Sequence, residues 1–237
     1  MKKLLVILSI FTVSTSLRAQ NVGLSFSYFV PSNGSFSTPI SPFSIRGLGF
    51  NFSNHFAFQT GASLYRMAGL SVKDTPLRQN ESFTGPNFTV LVPAELVLRF
   101  TGKRVSLDIK GGGFFFYGFD QNLNTGNIDK AIRDLEKWTV ANSNFSFENK
   151  PGFGYLGGVE LTVNVTNQFG ISIETNYLAG QSGLPLTGSY TGGISTLETK
   201  SIDYKDAKVD FTGLEFSIGL IFNTSAGGGP GTRRKRL

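Results

Sequence analysis

Eight ionisable residues fall at spacings that could bring their side chains together: Glu95, Arg99, Arg104, Asp108, Lys110, Glu160, Glu174 and Glu215. Carboxylates mixed with Arg and Lys can do two kinds of work. Buried and paired, they form a salt-bridge and hydrogen-bond network that fills an interior, because a buried charge needs a partner. Strung along an open path, they form an ion pathway or a proton relay. Little else in the chain points to chemistry. His55 is the single histidine and there is no cysteine. A His-assisted nucleophile therefore has one candidate base, and a thiolate metal site has no ligand. A metal site would have to use carboxylates alone. We expect no enzyme activity, no cofactor and no metal, and His55 reads as a turn residue that tolerates unusual backbone angles.

The elements that must position these charges are strands. Period-2 alternation dominates the chain. Phe56, Phe58, Thr60, Ala62 and Leu64 share one face of a run ending at Tyr65, and Leu48, Phe50 and Phe52 form the apolar phase of the run before it. Phe88 to Phe100, Val105 to Tyr117, Phe153 to Val165 and Phe169 to Tyr177 repeat the pattern. Val22 to Val30 opens the series and Thr212 to Phe222 closes it, giving eight strands. Three connections are two to four residues long. The other four are long: Pro31–Pro42, Arg66–Asn87, Asp120–Lys150 and Gly180–Lys208.

Charge placement agrees with the pleat. From Glu95 to Glu174 the strand charges lie in the polar phase, which chance would produce about once in a hundred trials. Arg46 breaks the rule by sharing parity with Leu48. Either it snorkels outward or a bulge near Gly47 resets the phase.

The apolar phase carries Phe, Tyr, Leu, Ile and Val on every strand, whereas the opposite phase is rich in Gly, Ser, Thr and Asn. An eight-stranded barrel has an interior only just wide enough for side chains, so the bulky phase would overpack it. That phase must face outward, where water would not tolerate it and lipid would. Alternating short and long connections suit short periplasmic turns and long extracellular loops. The expected fold is an all-β, eight-stranded antiparallel transmembrane up-and-down β-barrel. Tyr28, Tyr117, Tyr155 and Tyr177 would form one aromatic girdle, and Phe52, Phe56, Phe100, Phe169 and Phe222 the other. With eight strands there is no open channel, which favours the paired network over the ion pathway.

Both ends of the chain carry their own signals. Lys2 and Lys3, the apolar run Leu4 to Val13 and the segment ending in Ala19 read as a signal peptide over 1–19. That run is too short to span a bilayer. The barrel is expected over 20–223 and a flexible basic periplasmic tail over 224–237, ending Arg233-Arg234-Lys235-Arg236-Leu237. Removing Lys2, Lys3 and Arg18 with the leader, and the four tail cations, takes the formal charge of +6 to −1. A nearly neutral body excludes a nucleic-acid partner. The tail either attracts anionic headgroups, peptidoglycan or an acidic partner, or is a solvated end.

In the third long loop Ile128, Ile132, Leu135 and Trp138 share one face of a helix expected over 127–142. That face either packs on the barrel rim as a lid or docks on a partner or on lipid headgroups.

The leader ending Arg18-Ala19-Gln20, the alternating Phe- and Gly-rich strands and the closing Leu220-Ile221-Phe222 resemble the small outer-membrane β-barrel families of Bacteroidota, the PorT-like group among them. The resemblance covers nearly the whole chain and is one of architecture, with no functional motif matched. The terminal aromatic looks like the signal read by the barrel-assembly machinery, although here the chain continues from Asn223 to Leu237. The resemblance implies residence in the bacterial outer membrane and a role as a subunit or accessory of an envelope complex for protein secretion or outer-membrane assembly. The topology adds that both termini are periplasmic. Expected partners are outer-membrane lipid and other envelope proteins. A second expectation is an independent surface protein that binds ligands, host or polymer through its long extracellular loops.

Overall fold

Two of the three tight turns use the same device. Ser53 Oγ accepts the N–H groups of His55 and Phe56 at 3.2 and 3.0 Å, and Thr166 Oγ1 accepts those of Gln168 and Phe169, both at 3.1 Å. A hydroxyl just before the next strand satisfies donors that the turning backbone cannot. Strands β2 (Ile40–Asn51) and β3 (Phe56–Met67) thereby fold back on each other, as do β8 (Gly152–Asn164) and β9 (Phe169–Gly183). Between β5 (Asn87–Thr101) and β6 (Val105–Phe119) the turn closes with the Gly102 N–H on the Val105 carbonyl at 2.7 Å. The computed structural model describes residues 21–33, 40–67, 70–85 and 87–223. The leader assigned to 1–19 and the tail assigned to 224–237, with Arg233, Arg234, Lys235 and Arg236, lie outside these residues.

The ring is closed by β1 (Asn21–Pro31) and β13 (Gly213–Asn223). Strand β13 pairs antiparallel with β1 along one edge and with β9 along the other. Strands β1, β2, β3, β5, β6, β8, β9 and β13 thus form a closed eight-stranded antiparallel barrel, each paired with its neighbours. All three tight turns lie at one end, together with the Asn21–Asn223 pair, and the four long connections lie at the other.

The pleat sorts side chains as the alternation predicts. Leu96, Ile173 and Phe153 are 64%, 59% and 66% exposed on the outside, while Gln59, Glu174 and Ser217 are buried inside. Tyr28, Tyr117, Tyr155 and Tyr177 are exposed towards the loop end, and Phe52, Phe56, Phe100 and Phe222 towards the turn end. Barrel strands of 11 to 15 residues meet or exceed the roughly 9–11 needed to cross a bilayer when tilted. Among the described residues no helix is long and apolar enough to cross one.

The structure settles or refines three readings. First, Arg46 points inward. The pairing of β2 with β3 slips between Ile45 and Leu48, and Gly47 takes φ 74°, a left-handed conformation that favours glycine. This bulge flips the parity, so the bulge reading of Arg46 holds and the snorkelling one does not. Second, the helix, α1 (Thr125–Glu136), is shorter than the 127–142 expected. Asn124 caps its start, and Lys137 ends it with a left-handed φ of 59°. Third, the long connections carry strands of their own. Strands β7 (Val140–Phe147), β10 (Leu186–Gly193) and β11 (Leu197–Tyr204) form a separate three-stranded sheet, and β4 (Val72–Lys73) and β12 (Lys208–Asp210) extend the barrel edge above β9.

Leu96 lies inside the apolar band bounded on β5 by Phe88 and Phe100, whereas Val105 lies at the turn end of β6. We predict that Leu96→Arg costs about 2–4 kcal/mol of stability in lipid vesicles and that Val105→Arg costs about 0–1 kcal/mol. Urea titration followed by heat-modifiable gel mobility measures both; equal costs would contradict the depth assignment.

Candidate functional site

The barrel interior is built in three layers, beginning at the turn end. There the lumen opens into a polar cavity of about 390 Å³. Its inner wall includes Arg99 and Asp108, cross-strand partners on β5 and β6. Arg99 grips Asp108 with two nitrogens, Nε at 2.9 Å from Oδ1 and Nη2 at 2.6 Å from Oδ2. This is the bidentate geometry that makes Arg–carboxylate pairs strong.

Above the cavity lies a layer of buried charge. Arg46 reaches Glu174 through Nη1 at 2.9 Å and Glu215 through Nη2 at 2.7 Å. Lys110 bridges Glu160 at 2.6 Å and Glu174 at 2.9 Å. Asn176 Nδ2 donates to Glu174 and Glu215 at 3.0 and 2.7 Å, and the Tyr65 hydroxyl donates to Glu215. Glu95 is 5% exposed and interacts electrostatically with Lys110, Glu174, Arg46 and Glu215. Space for Asn176 depends on Gly158, where a Cβ would stand 1.8 Å from Asn176 Oδ1. Each cation here meets two acceptors or a bidentate one, which offsets the cost of its own burial.

The loop half of the lumen is aromatic. Phe29, Tyr65, Phe114 and Phe116 point inward from β1, β3 and β6, and Phe211, from the link between β12 and β13, inserts among them. The Phe211 ring stacks on Phe29 at 4.7 Å between centroids and lies 4.9 Å from Phe116 and 5.9 Å from Phe114. Glycines make room for the rings. A Cβ at Gly152 would sit 2.3 Å from Phe116, and one at Gly154 would sit 2.5 Å from Phe114. The polar phase is therefore not uniformly small, and its glycines complement large rings.

A strap fastens this plug. Asp210 is 1% exposed and binds Lys73, Asn33 and Thr212, while its N–H donates to the Ser71 carbonyl at 3.0 Å. One carboxylate thus ties the first, second and fourth long connections together across the barrel mouth. Over it sits the cap formed by α1 and the three-stranded sheet. Ile128, Ala131 and Ile132 of α1 are buried in the same apolar core as Phe211. Asp129 accepts the Ser143 N–H at 2.7 Å, joining helix to sheet.

The expected lumen residues separate into two groups. Glu95, Arg99, Asp108, Lys110, Glu160, Glu174 and Glu215 face the interior. Arg104 does not: it precedes β6 in the tight turn and is exposed. Arg46 takes the central position that parity alone denied it. Of the four helix-face residues, Ile128 and Ile132 are taken up by the protein's own core, and Leu135 stays 43% exposed. Trp138 lies beyond the helix, half-buried against Tyr190 at 5.7 Å, with Lys200 Nζ 5.2 Å from its ring. His55 sits in the β2–β3 turn, where its carbonyl accepts the Arg99 N–H at 2.7 Å.

Arg46→Met leaves Glu215 without a cation and Glu174 with Lys110 alone, so we predict a loss of about 3–5 kcal/mol. Arg104→Met should change stability by less than about 0.5 kcal/mol. Combining Arg46→Met with Glu174→Gln and Glu215→Gln should recover most of the loss, because both carboxylate charges go with the guanidinium they faced and Lys110 keeps Glu160. Urea unfolding in vesicles checks all three, and no recovery in the triple variant would contradict the pairing.

No protein-family model matches the sequence, and no curated protein sequence matches it. Among solved structures, the chain is similar to the outer membrane protein OprG from Pseudomonas aeruginosa, with a TM-score of 0.50 and 11% identity over 85% of this chain and 94% of that one. It is also similar to Ail, the attachment invasion locus protein of Yersinia pestis, at TM-score 0.39 and 15% identity, covering 85% and 94% of the two chains. A major outer membrane protein from Thermus thermophilus gives TM-score 0.42 and 9% identity over 85% and 98%. At these identities the likeness concerns the fold: a closed eight-stranded β-barrel of the outer-membrane type.

Proposed function

We propose that this protein is a non-enzymatic outer-membrane barrel that serves as a membrane anchor for a docking platform, acting as a subunit or accessory of an envelope protein complex. The observation carrying this reading is the apolar tip of the cap. Val140, Ile194 and Leu197 are 52%, 69% and 72% exposed. Val140 and Leu197 both pair with Gly193, so the three form one cluster at the far end of the sheet from the barrel. Leu135 is exposed at the end of the helix leading into β7. Such a cluster has no use in membrane anchoring, and water disfavours it unless a partner covers it.

Other features support the same reading. A lumen filled with paired charge and stacked rings makes a poor diffusion path. The resemblance to PorT-like barrels favours protein secretion or outer-membrane assembly as the business of the complex, with the turns and both termini in the periplasm and the cap outside. The basic run Arg233–Arg236 adds a second contact to an acidic periplasmic partner or surface. The same tip also suits an independent surface protein that binds host, phage or polymer.

Native purification from the outer membrane distinguishes these readings. Stoichiometric partners, lost in Ile194→Asp with Leu197→Asp while heat-modifiable mobility stays intact, are the expected result. A lone monomer with a cell-surface ligand would favour the independent binder.

The cap should respond to acid through Glu136. Its carboxyl is held below the usual carboxylate range by hydrogen bonds from Lys200 and the Tyr190 hydroxyl. A depressed folded-state value contributes stability that is present above about pH 4.5, the ordinary value, and is lost as pH falls through the lowered one. We predict that the fluorescence of Trp138, the only tryptophan, reports loosening of the cap below about pH 4.5, and that Glu136→Gln flattens the response. An unchanged profile in Glu136→Gln would assign the response elsewhere.

A further inference from the structure

We infer that the turn-end cavity is a binding site for a neutral ligand rich in hydroxyl and amide groups, of the size and chemistry of a disaccharide. The site is independent of the cap and lies at the opposite end of the barrel. Its volume of about 390 Å³ falls within the range of small-molecule sites, about 300–1,000 Å³. It is blind-ended, because the charge layer and the aromatic plug close the lumen above it. It is therefore a receptacle rather than part of a conduit.

The ligand class follows from what the wall offers and what it withholds. Among the described wall residues, every ionic group already has an ion-pair partner. Arg99 and Asp108 hold each other, Glu160 holds Lys110, and Arg46 holds Glu174 and Glu215. An anion or a cation entering the cavity would lose its hydration and find its counter-charge occupied. An apolar ligand would gain little, since Ile221 is the one aliphatic side chain among the described wall residues. The remaining wall is amide, from Asn51, Asn54, Gln59 and Asn164, and hydroxyl, from Thr101, Ser106 and Thr162. Both group types donate and accept hydrogen bonds, which suits ligand hydroxyls and N-acetyl groups that do the same. Most of these side chains are fixed by strand positions: Ser106 and Thr162 are cross-strand partners on β6 and β8, and Gln59 is a buried residue of β3. Strand mounting pre-organises them, so little ordering entropy is lost on binding.

The test uses the full-length protein in lipid nanodiscs, titrated calorimetrically with di-N-acetylchitobiose, with spermidine and inorganic sulfate as charged probes. We expect saturable one-to-one binding of the disaccharide with a Kd of about 1 mM or tighter. Neither charged probe should compete. Ser106→Trp, which fills the cavity, should abolish binding. Thr162→Val, which keeps the shape and removes one hydroxyl, should weaken it at least about threefold. If Ser106→Trp fails to assemble, Thr162→Val with Gln59→Leu decides the matter. No saturable binding at about 20 mM, some twentyfold above that Kd, would overturn the inference. So would binding that survives the cavity variants, or competition by spermidine or sulfate.

Discussion

A strand in hydrocarbon has no water to satisfy its edges, and the double pairing of β13 meets that constraint. With β1 on one side and β9 on the other, the barrel is left without an open edge along these strands. Much else follows from this closure. Eight strands make a narrow interior, so the bulky half of each alternating strand has to face lipid. The other half has to occupy the cylinder and compensate the charges it buries.

That filling uses two solutions in series. Near the turns, where strands contribute Arg46, Lys110 and the carboxylates, the interior is a charge lattice in which Arg46 and Lys110 share Glu174. Nearer the loops it is an apolar core, and here glycine on one strand makes space for a ring from another. Phe211 joins the lumen to the loops, packing with rings of the barrel wall while its neighbour Asp210 binds the loop strap. The cap shares this apolar core through Ile128 and Ile132, so cap and plug are packed as one body.

The barrel was legible in the sequence because lipid-facing strands must be apolar at every second residue, as from Phe88 to Phe100. The charge lattice was legible for the same reason, since seven of its members sit in strict antiphase. Arg46 was not assignable, because the Gly47 bulge inserts a residue and reverses parity without altering composition. The aromatic plug was hidden for a different reason. Phe114-Phe115-Phe116 puts rings on both faces, and Phe211 comes from a connection that carries no periodicity. The cap strands were missed because β10, with Thr187, Gly188, Ser189 and Thr191, lacks a continuous apolar phase. Its pairing comes from the backbone and from neighbours distant in sequence. Helix α1 was overextended because Trp138 falls in phase with Ile128 and Leu135, while the left-handed turn at Lys137 leaves no clear trace in the sequence.

A membrane barrel requires the apolar phase to face lipid tails, and depth-dependent fluorescence quenching is the direct check of that contact. With Trp138 replaced by Phe, single tryptophans placed at Leu96, Ile173 and Leu197 would be compared in vesicles containing brominated lipids and with aqueous iodide. Tryptophans at Leu96 and Ile173 should be quenched by the bromolipid and shielded from iodide, and the one at Leu197 in the cap should show the reverse. Iodide quenching at Leu96 and Ile173, with no response to bromolipid, would contradict the membrane barrel itself.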